Sequence, residues 1–169
     1  MPSSVQILGT GQLLELSRRL RAAGGPRLRQ NTARRIRRAA EPLQKDLQDT
    51  IRTVELAGSG RKVRGGPSPT NRPLRAALAG AVRISVRSGA SPGARVWLDH
   101  SRLPDDITAG VAARIDDGRL RHPVFGNGKR WTNQWARPSG WWTKTVQDGM
   151  PRMRAEVDRI RDDVRRDLQ

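Results

Sequence analysis

Asp99, His100 and Ser101 are the residues whose types come nearest to catalysis. A carboxylate, an imidazole and a hydroxyl are the parts of a nucleophilic relay for acyl transfer. Three consecutive residues cannot build that relay. Nucleophile, base and orienting acid must converge in a chain of hydrogen bonds, and adjacent side chains point in different directions.

Metal-assisted hydrolysis meets a similar obstacle. An Asp-His pair such as Asp99-His100 opens the site of histidine-asparagine-histidine nucleases, but that site also needs an Asn and a metal-binding His downstream. The later His here is His122, beside Pro123, and the chain has two His and no Cys. No cluster has metal-ligand spacing, and disulfides are excluded. Gly24-Gly25 and Gly58-x-Gly60 lack the strand, the spacing and the Lys of a phosphate-binding loop and read as turns. The chain is therefore read as a non-enzyme with no cofactor and no metal.

Binding chemistry is better represented. The 169 residues carry 33 Lys and Arg against 16 Asp and Glu, for a net charge of +17. The excess is uneven. Residues 1–66 hold 14 basic and five acidic side chains, whereas residues 143–169 hold seven and six. Nearly all the basic residues are Arg, whose planar fork suits phosphate and carboxylate. Arg34, Arg35, Arg37 and Arg38 form one cluster, and Arg61, Lys62 and Arg64 another. Either could face DNA, and either could be a solvated or intersubunit face. Trp131, Trp135, Trp141 and Trp142, with Arg130 and Arg137, could stack unpaired bases. The preferred reading is core and interface anchors, since Trp and Arg concentrate where assemblies bury their strongest contacts.

The elements that must position these groups follow from local pattern. Residues 1–9 read as an arm. Thr10 caps a helix over Gln12 to Ala23, with Leu13, Leu16 and Leu20 on one face. A second helix covers Leu28 to Val54. Its stripe is Ile36, Ala40, Leu43, Leu47, Ile51 and Val54, and Pro42 is expected to kink it. Residues 57–73 are rich in Gly and Pro and read as a long, basic, flexible loop. Val82, Ile84 and Val86 alternate with polar residues, and Arg95 to Leu98 returns after a turn at 88–93. Ile107, Val111 and Ile115 suggest a short helix ended by Gly118. Val124-Phe125 and Trp131 to Trp135 read as a second hairpin, turned by Gly126-Asn127-Gly128. Pro123 limits ladder donation, which suits a sheet edge. A last amphipathic helix covers Thr143 to Leu168, with Pro151 at its first turn or a kink. The fold class is α+β, with N-terminal helices, a small antiparallel sheet of hairpins and a long C-terminal helix in one domain over residues 1–169. With no apolar run of about 18 residues and no leader pattern, assembly in the cytoplasm is expected.

One stretch remains: Arg121-His122-Pro123-Val124-Phe125-Gly126-Asn127, then Trp131, then Gly140-Trp141-Trp142. It holds the single Phe and three of the five Trp. It resembles the signature of small neck or tail-completion proteins of long-tailed bacteriophages, in which Arg-His-Pro-Val-Phe-Gly-Asn leads to a Trp, a Pro-Gly-Trp-Phe segment and a final helix. The resemblance covers most of the chain in layout, but only these residues are specific. Here Ser139 is inserted, Trp142 stands for Phe, and Gly128 takes the place of a longer side chain.

The resemblance implies a tail-terminator or tail-completion subunit at the head–tail junction of the virion, assembled in the host cytoplasm. Its partners would be further copies, in a hexameric ring in preference to a dodecameric one, the head-closure (stopper) protein and the tail tube protein, with no membrane. The interface residues implied are Arg121, His122, Pro123, Val124, Phe125, Trp131, Trp135, Trp141 and Trp142. Arg61, Lys62 and Arg64 are candidates for passing contact with genomic DNA. The alternative is a basic protein that binds double-stranded DNA or assists its packaging.

Overall fold

The computed structural model describes residues 4–8, 26–58, 74–87, 93–105, 107–108, 110–124 and 127–167. The expected helix at Gln12 to Ala23 and the residues Arg61, Lys62, Arg64 and Phe125 lie outside them.

The apolar stripe of the first third folds as the spacing requires. Helix α1 spans Pro26–Thr53, and its Ile36, Ala40, Leu43, Leu47 and Ile51 are buried, followed by Val54 just beyond. The helix continues through Pro42. The final helix, α4 (Thr143–Asp167), lies against it. Met153 and Ile160 bury, with Val146, Met150 and Val157 packed beside them. Gly149 allows the close approach, since a β-carbon there would meet Leu43 Cδ1 at 2.9 Å. Pro151 sits inside α4 and does not begin it. Arg35 pairs with Asp163 at 3.6 Å, and Thr145 Oγ1 donates to Thr50 Oγ1 at 3.3 Å, so the two helices are also joined by polar contacts.

The strands form two three-stranded antiparallel sheets, where one sheet of hairpins was expected. In the first, β3 (Val82–Arg87) and β4 (Gly93–Leu98) form the anticipated hairpin, paired from Val82↔Leu98 to Arg87↔Gly93. Val82, Ala94, Val96 and Leu98 turn inward onto α1. Gln44 Nε2 on α1 donates to the Val82 carbonyl at 2.7 Å, holding helix to sheet.

The far edge of β4 is covered by residues read as an arm. Ser4–Leu8 is strand β1, antiparallel to β4 from Ser4↔Trp97 to Leu8↔Gly93. The physical reason is the open ladder of β4, whose backbone groups need partners. Val5 and Ile7 alternate with Ser4 and Gln6, as a strand's residues do, but the pattern does not say which ladder it joins.

The second sheet has the order β2–β6–β5. Strand β5 (Arg119–Val124) and strand β6 (Asn127–Arg137) extend the anticipated hairpin at both ends, with a register irregularity between Pro123 and Val124. Strand β2 (Glu55–Gly58) pairs with β6 from Glu55↔Arg137 to Gly58↔Gln134. It therefore claims the first residues of the segment assigned to the 57–73 loop. Two small helices complete the fold. Helix α2 (Leu74–Ala81), absent from the sequence reading, buries Leu78, Ala79 and Ala81. Helix α3 (Gly110–Asp116) is shorter than the Ile107-to-Gly118 pattern suggested. The result is an α+β fold around a shared core of α1, α4, α2, α3 and the inner faces of the strands.

Candidate interface on the second sheet

Asp99, His100 and Ser101 have a local structural role. Ser101 donates to Asp99 Oδ1 from its backbone N–H at 3.2 Å and from its hydroxyl at 2.6 Å. Asp99 thereby caps the one-turn helix His100–Arg102, and Arg102 lies 3.6 Å from its second oxygen. The His100 side chain is exposed and takes no part in these contacts. Among the described residues no three His, Cys, Asp or Glu gather at metal-binding distance, and no helix is long and apolar enough to cross a membrane.

The tryptophans divide into two sets. Strand β6 exposes two, Trp131 at 50% and Trp135 at 42%. They are the large apolar side chains left exposed among the described residues. Both sit on one side of the strand, because residues four apart share a face. The opposite side carries Ala136, buried, while Leu120 of β5 and Leu56 of β2 also turn inward. On β5, Arg119 stands opposite Trp135, and Arg121 stands opposite Asn133, diagonal to Trp131. The Arg121 guanidinium lies 5.3 Å from the Trp131 ring centroid, and that of Arg119 lies 5.5 Å from Trp135. Arg119 Nε also donates to Asn133 at 3.4 Å. Each such stack is worth about 0.5–1 kcal/mol at an exposed site and orients both partners. A third stack, Arg95 over Trp97 at 5.3 Å, stands on the first sheet.

Trp141 and Trp142 correct the interface assignment. They are buried within the chain's own core at 2% and 8% exposure, edge to face with centroids 5.5 Å apart. The Trp141 indole N–H donates to the Ala112 carbonyl at 3.1 Å. The reason is their place just ahead of α4, where α3 meets them through the Ala112 carbonyl and the Asp116 carboxylate. His122, Pro123 and Val124 belong to β5, with Pro123 opposite Trp131, and β5 is an edge strand of its sheet.

Asp116 holds this arrangement together, and the sequence reading passed over it. It is 5% exposed, at the C-terminal end of α3. One oxygen accepts the backbone N–H groups of Trp142 and Thr143 at 2.7 and 3.1 Å. The other accepts the Thr143 hydroxyl at 2.6 Å. Helix α4 has no acid in its own first turn, so Asp116 supplies the carboxylate that its free N–H groups and its dipole favour. Its carbonyl also accepts from Gly140 at 2.7 Å. One signal was available: an acid ending an apolar pattern two residues before a Gly.

Gly118 fastens the same end of β6. Its carbonyl accepts from Ala136 at 2.9 Å, and its φ of 86° lies where only Gly is at ease. A β-carbon there would stand 2.9 Å from Ser139 Cβ. Gly118→Ala is expected to destabilise the fold by about 2 kcal/mol from the left-handed backbone and the crowding together. Urea denaturation measures it. Adding Ser139→Gly should recover the crowding share and leave the backbone share.

The site is therefore a solvent-facing sheet surface of indole and guanidinium, anchored at the C-terminal end of β6 by Gly118 and the Asp116 junction. It can bury apolar surface and grip anions. Comparison with protein-family models, with curated proteins and with solved structures finds no match to this chain.

Proposed function

We propose that this chain is a structural subunit of a bacteriophage neck ring, a tail-terminator or tail-completion protein that joins the head-closure complex to the tail tube. The resemblance of residues 121–142 to that family supports the reading. The observation that carries it is the exposure of Trp131 and Trp135 on a sheet face. Large aromatic side chains on a well-framed surface are what a recurring partner buries. Ring subunits need two different adhesive surfaces, because a heterologous contact is what closes a ring. This face would add a third, directed at the neighbouring neck protein.

Electron microscopy of the purified protein in high salt, with light-scattering mass alongside, tests the reading. Rings with a central hole of duplex width are expected, six subunits rather than twelve. Trp131→Ala with Trp135→Ala should cost at most about 2 kcal/mol of folding stability, the loss of two exposed Arg–Trp stacks. The same pair should leave ring closure intact and abolish docking onto the neighbouring neck protein. Rings that form and dock normally in this variant would remove the face from the assembly.

The second reading is a duplex-binding or packaging-associated protein. It rests on Arg34, Arg37 and Arg38, which stand exposed on α1 opposite its buried stripe. It predicts strong, salt-dependent duplex affinity that persists at physiological salt. The structural reading predicts binding that vanishes there.

A further inference from the structure

The outward face of the second sheet is selective in what it can hold. Arg119 and Arg121 occupy alternate positions of β5, and Trp131, Asn133 and Trp135 alternate positions of β6. Arg137 continues the row and lies opposite Glu55 of β2, the single acid at these positions. Each guanidinium of β5 lies over an indole. That takes a ring face away from an unpaired base, which stacking on a platform would require. Both arginines stay exposed, and a guanidinium edge grips carboxylate or phosphate through parallel hydrogen bonds.

The indoles decide between the two anions. A duplex exterior offers phosphates separated by hydrated grooves, with little apolar surface to cover Trp131 and Trp135. A polypeptide offers carboxylates and apolar side chains together. Arg119 and Arg121 are two residues apart on one strand, about 7 Å. Carboxylates two residues apart on an extended acidic segment repeat that spacing.

A second copy of this chain is a poor source of those carboxylates. The chain carries +17, so copies repel. Several of its own acids are already paired: Asp49 with Arg52, Asp99 with Arg102, Glu156 with Arg159, and Asp163 with Arg35 and Arg166.

We propose that the face formed by Arg119, Arg121, Trp131 and Trp135 is the docking site for an acidic segment of a different protein, one that carries carboxylates interspersed with apolar side chains. The proposal deepens the neck reading and rests on it for the partner's place in the assembly, while the partner's chemistry follows from the face itself.

The test uses the full chain and three probes: a Glu-rich peptide interspersed with Leu, a short DNA duplex and a deoxythymidine oligonucleotide. Binding is read by calorimetry and by tryptophan fluorescence at physiological salt. The peptide should bind and shift the fluorescence. Arg119→Ala with Arg121→Ala should weaken it about tenfold or more, as loss of an interface's principal anchors does. Arg152→Ala with Arg154→Ala, exposed on α4, removes the same charge and should change it less than about twofold. Equal losses in the two variants would reduce the effect to net charge and overturn the proposal, as would absence of peptide binding. A nucleic acid that displaces the peptide would assign the face to nucleic acid instead. A dimer lost in the Arg119→Ala, Arg121→Ala variant would assign it to a second copy. Light-scattering mass on the same samples separates this proposal from the ring reading. Rings without peptide binding remove this one alone, and peptide binding by a chain that never closes a ring on any neck component removes the other.

Discussion

Trp141→Ala is expected to cost about 4 kcal/mol of folding stability, the largest loss of any substitution in the Gly140-Trp141-Trp142 segment. Trp141 is among the largest fully buried side chains of the core. Truncation leaves a cavity where α3, α4 and Trp142 meet, and the surrounding backbone is held by hydrogen bonds that resist collapse. It also leaves the Ala112 carbonyl without its indole donor. The midpoint of thermal unfolding should fall by roughly 10 °C for a chain of this size. Trp141→Phe keeps most of the volume and loses the hydrogen bond, so it should fall between the two. Differential scanning calorimetry and urea denaturation read both. The contrast with Trp131→Ala is the essential control. Four tryptophans within twelve residues, Trp131 to Trp142, are expected to divide cleanly, two acting on folding and two on assembly. A small loss for Trp141→Ala, comparable to that for Trp131→Ala, would show that the C-terminal half of the signature is not part of the core.

Asp116→Ala should destabilise by about 3 kcal/mol. Loss of a capping carboxylate alone costs about 1 kcal/mol. Here the donors are also buried, and a buried donor left without its acceptor costs a further 1–3 kcal/mol. The N–H of Trp142 is in a buried setting and that of Thr143 in a half-buried one, so little water can replace the lost oxygen. Asp116→Asn retains an acceptor for one N–H and should recover part of the loss. The effect should also be local. Amide hydrogen exchange should quicken first in the opening turn of α4 and at Gly140, whose N–H binds the Asp116 carbonyl. The β3–β4 hairpin should be last to respond. Uniform loss of protection across the chain would show that Asp116 supports the whole core and not this junction.

Both residues bear on the exposed face through β6. The strand begins beside the Arg–Trp stacks and ends at the junction that Asp116 and Trp141 hold. A loosened junction would let the Trp131–Trp135 face shift, and a docking surface that must be ordered at binding loses affinity. Variants at Asp116 are thus expected to weaken assembly as well as stability, although Asp116 is buried.

The sequence by itself determined the elements whose pattern is local. The stripe from Ile36 to Val54 fixed α1 because apolar residues at spacings of three and four must share a face whatever lies against them. The same logic fixed α4, and alternation over Val82, Ile84 and Val86 fixed the β3–β4 hairpin. Residue type alone grouped Trp131 and Trp135 with Arg130 and Arg137, whereas Arg119 and Arg121 are the arginines that lie over the two rings.

The tertiary structure decided everything that depends on which surfaces meet. Strands β1 and β2 pair with β4 and β6 far along the chain. Neither short segment contains its partner's identity, because backbone hydrogen bonding is indifferent to side-chain type. The fates of the four tryptophans were equally closed to local reading. An indole is apolar enough to bury and polar enough to expose, and only the packing that brings Trp141 to the Ala112 carbonyl and Trp142 to Asp116 of α3 separates them from Trp131 and Trp135. Asp116 is the sharpest case: an acid in a sequence is a surface residue by default, and it becomes a helix cap only when folding brings the N-terminus of α4 to it.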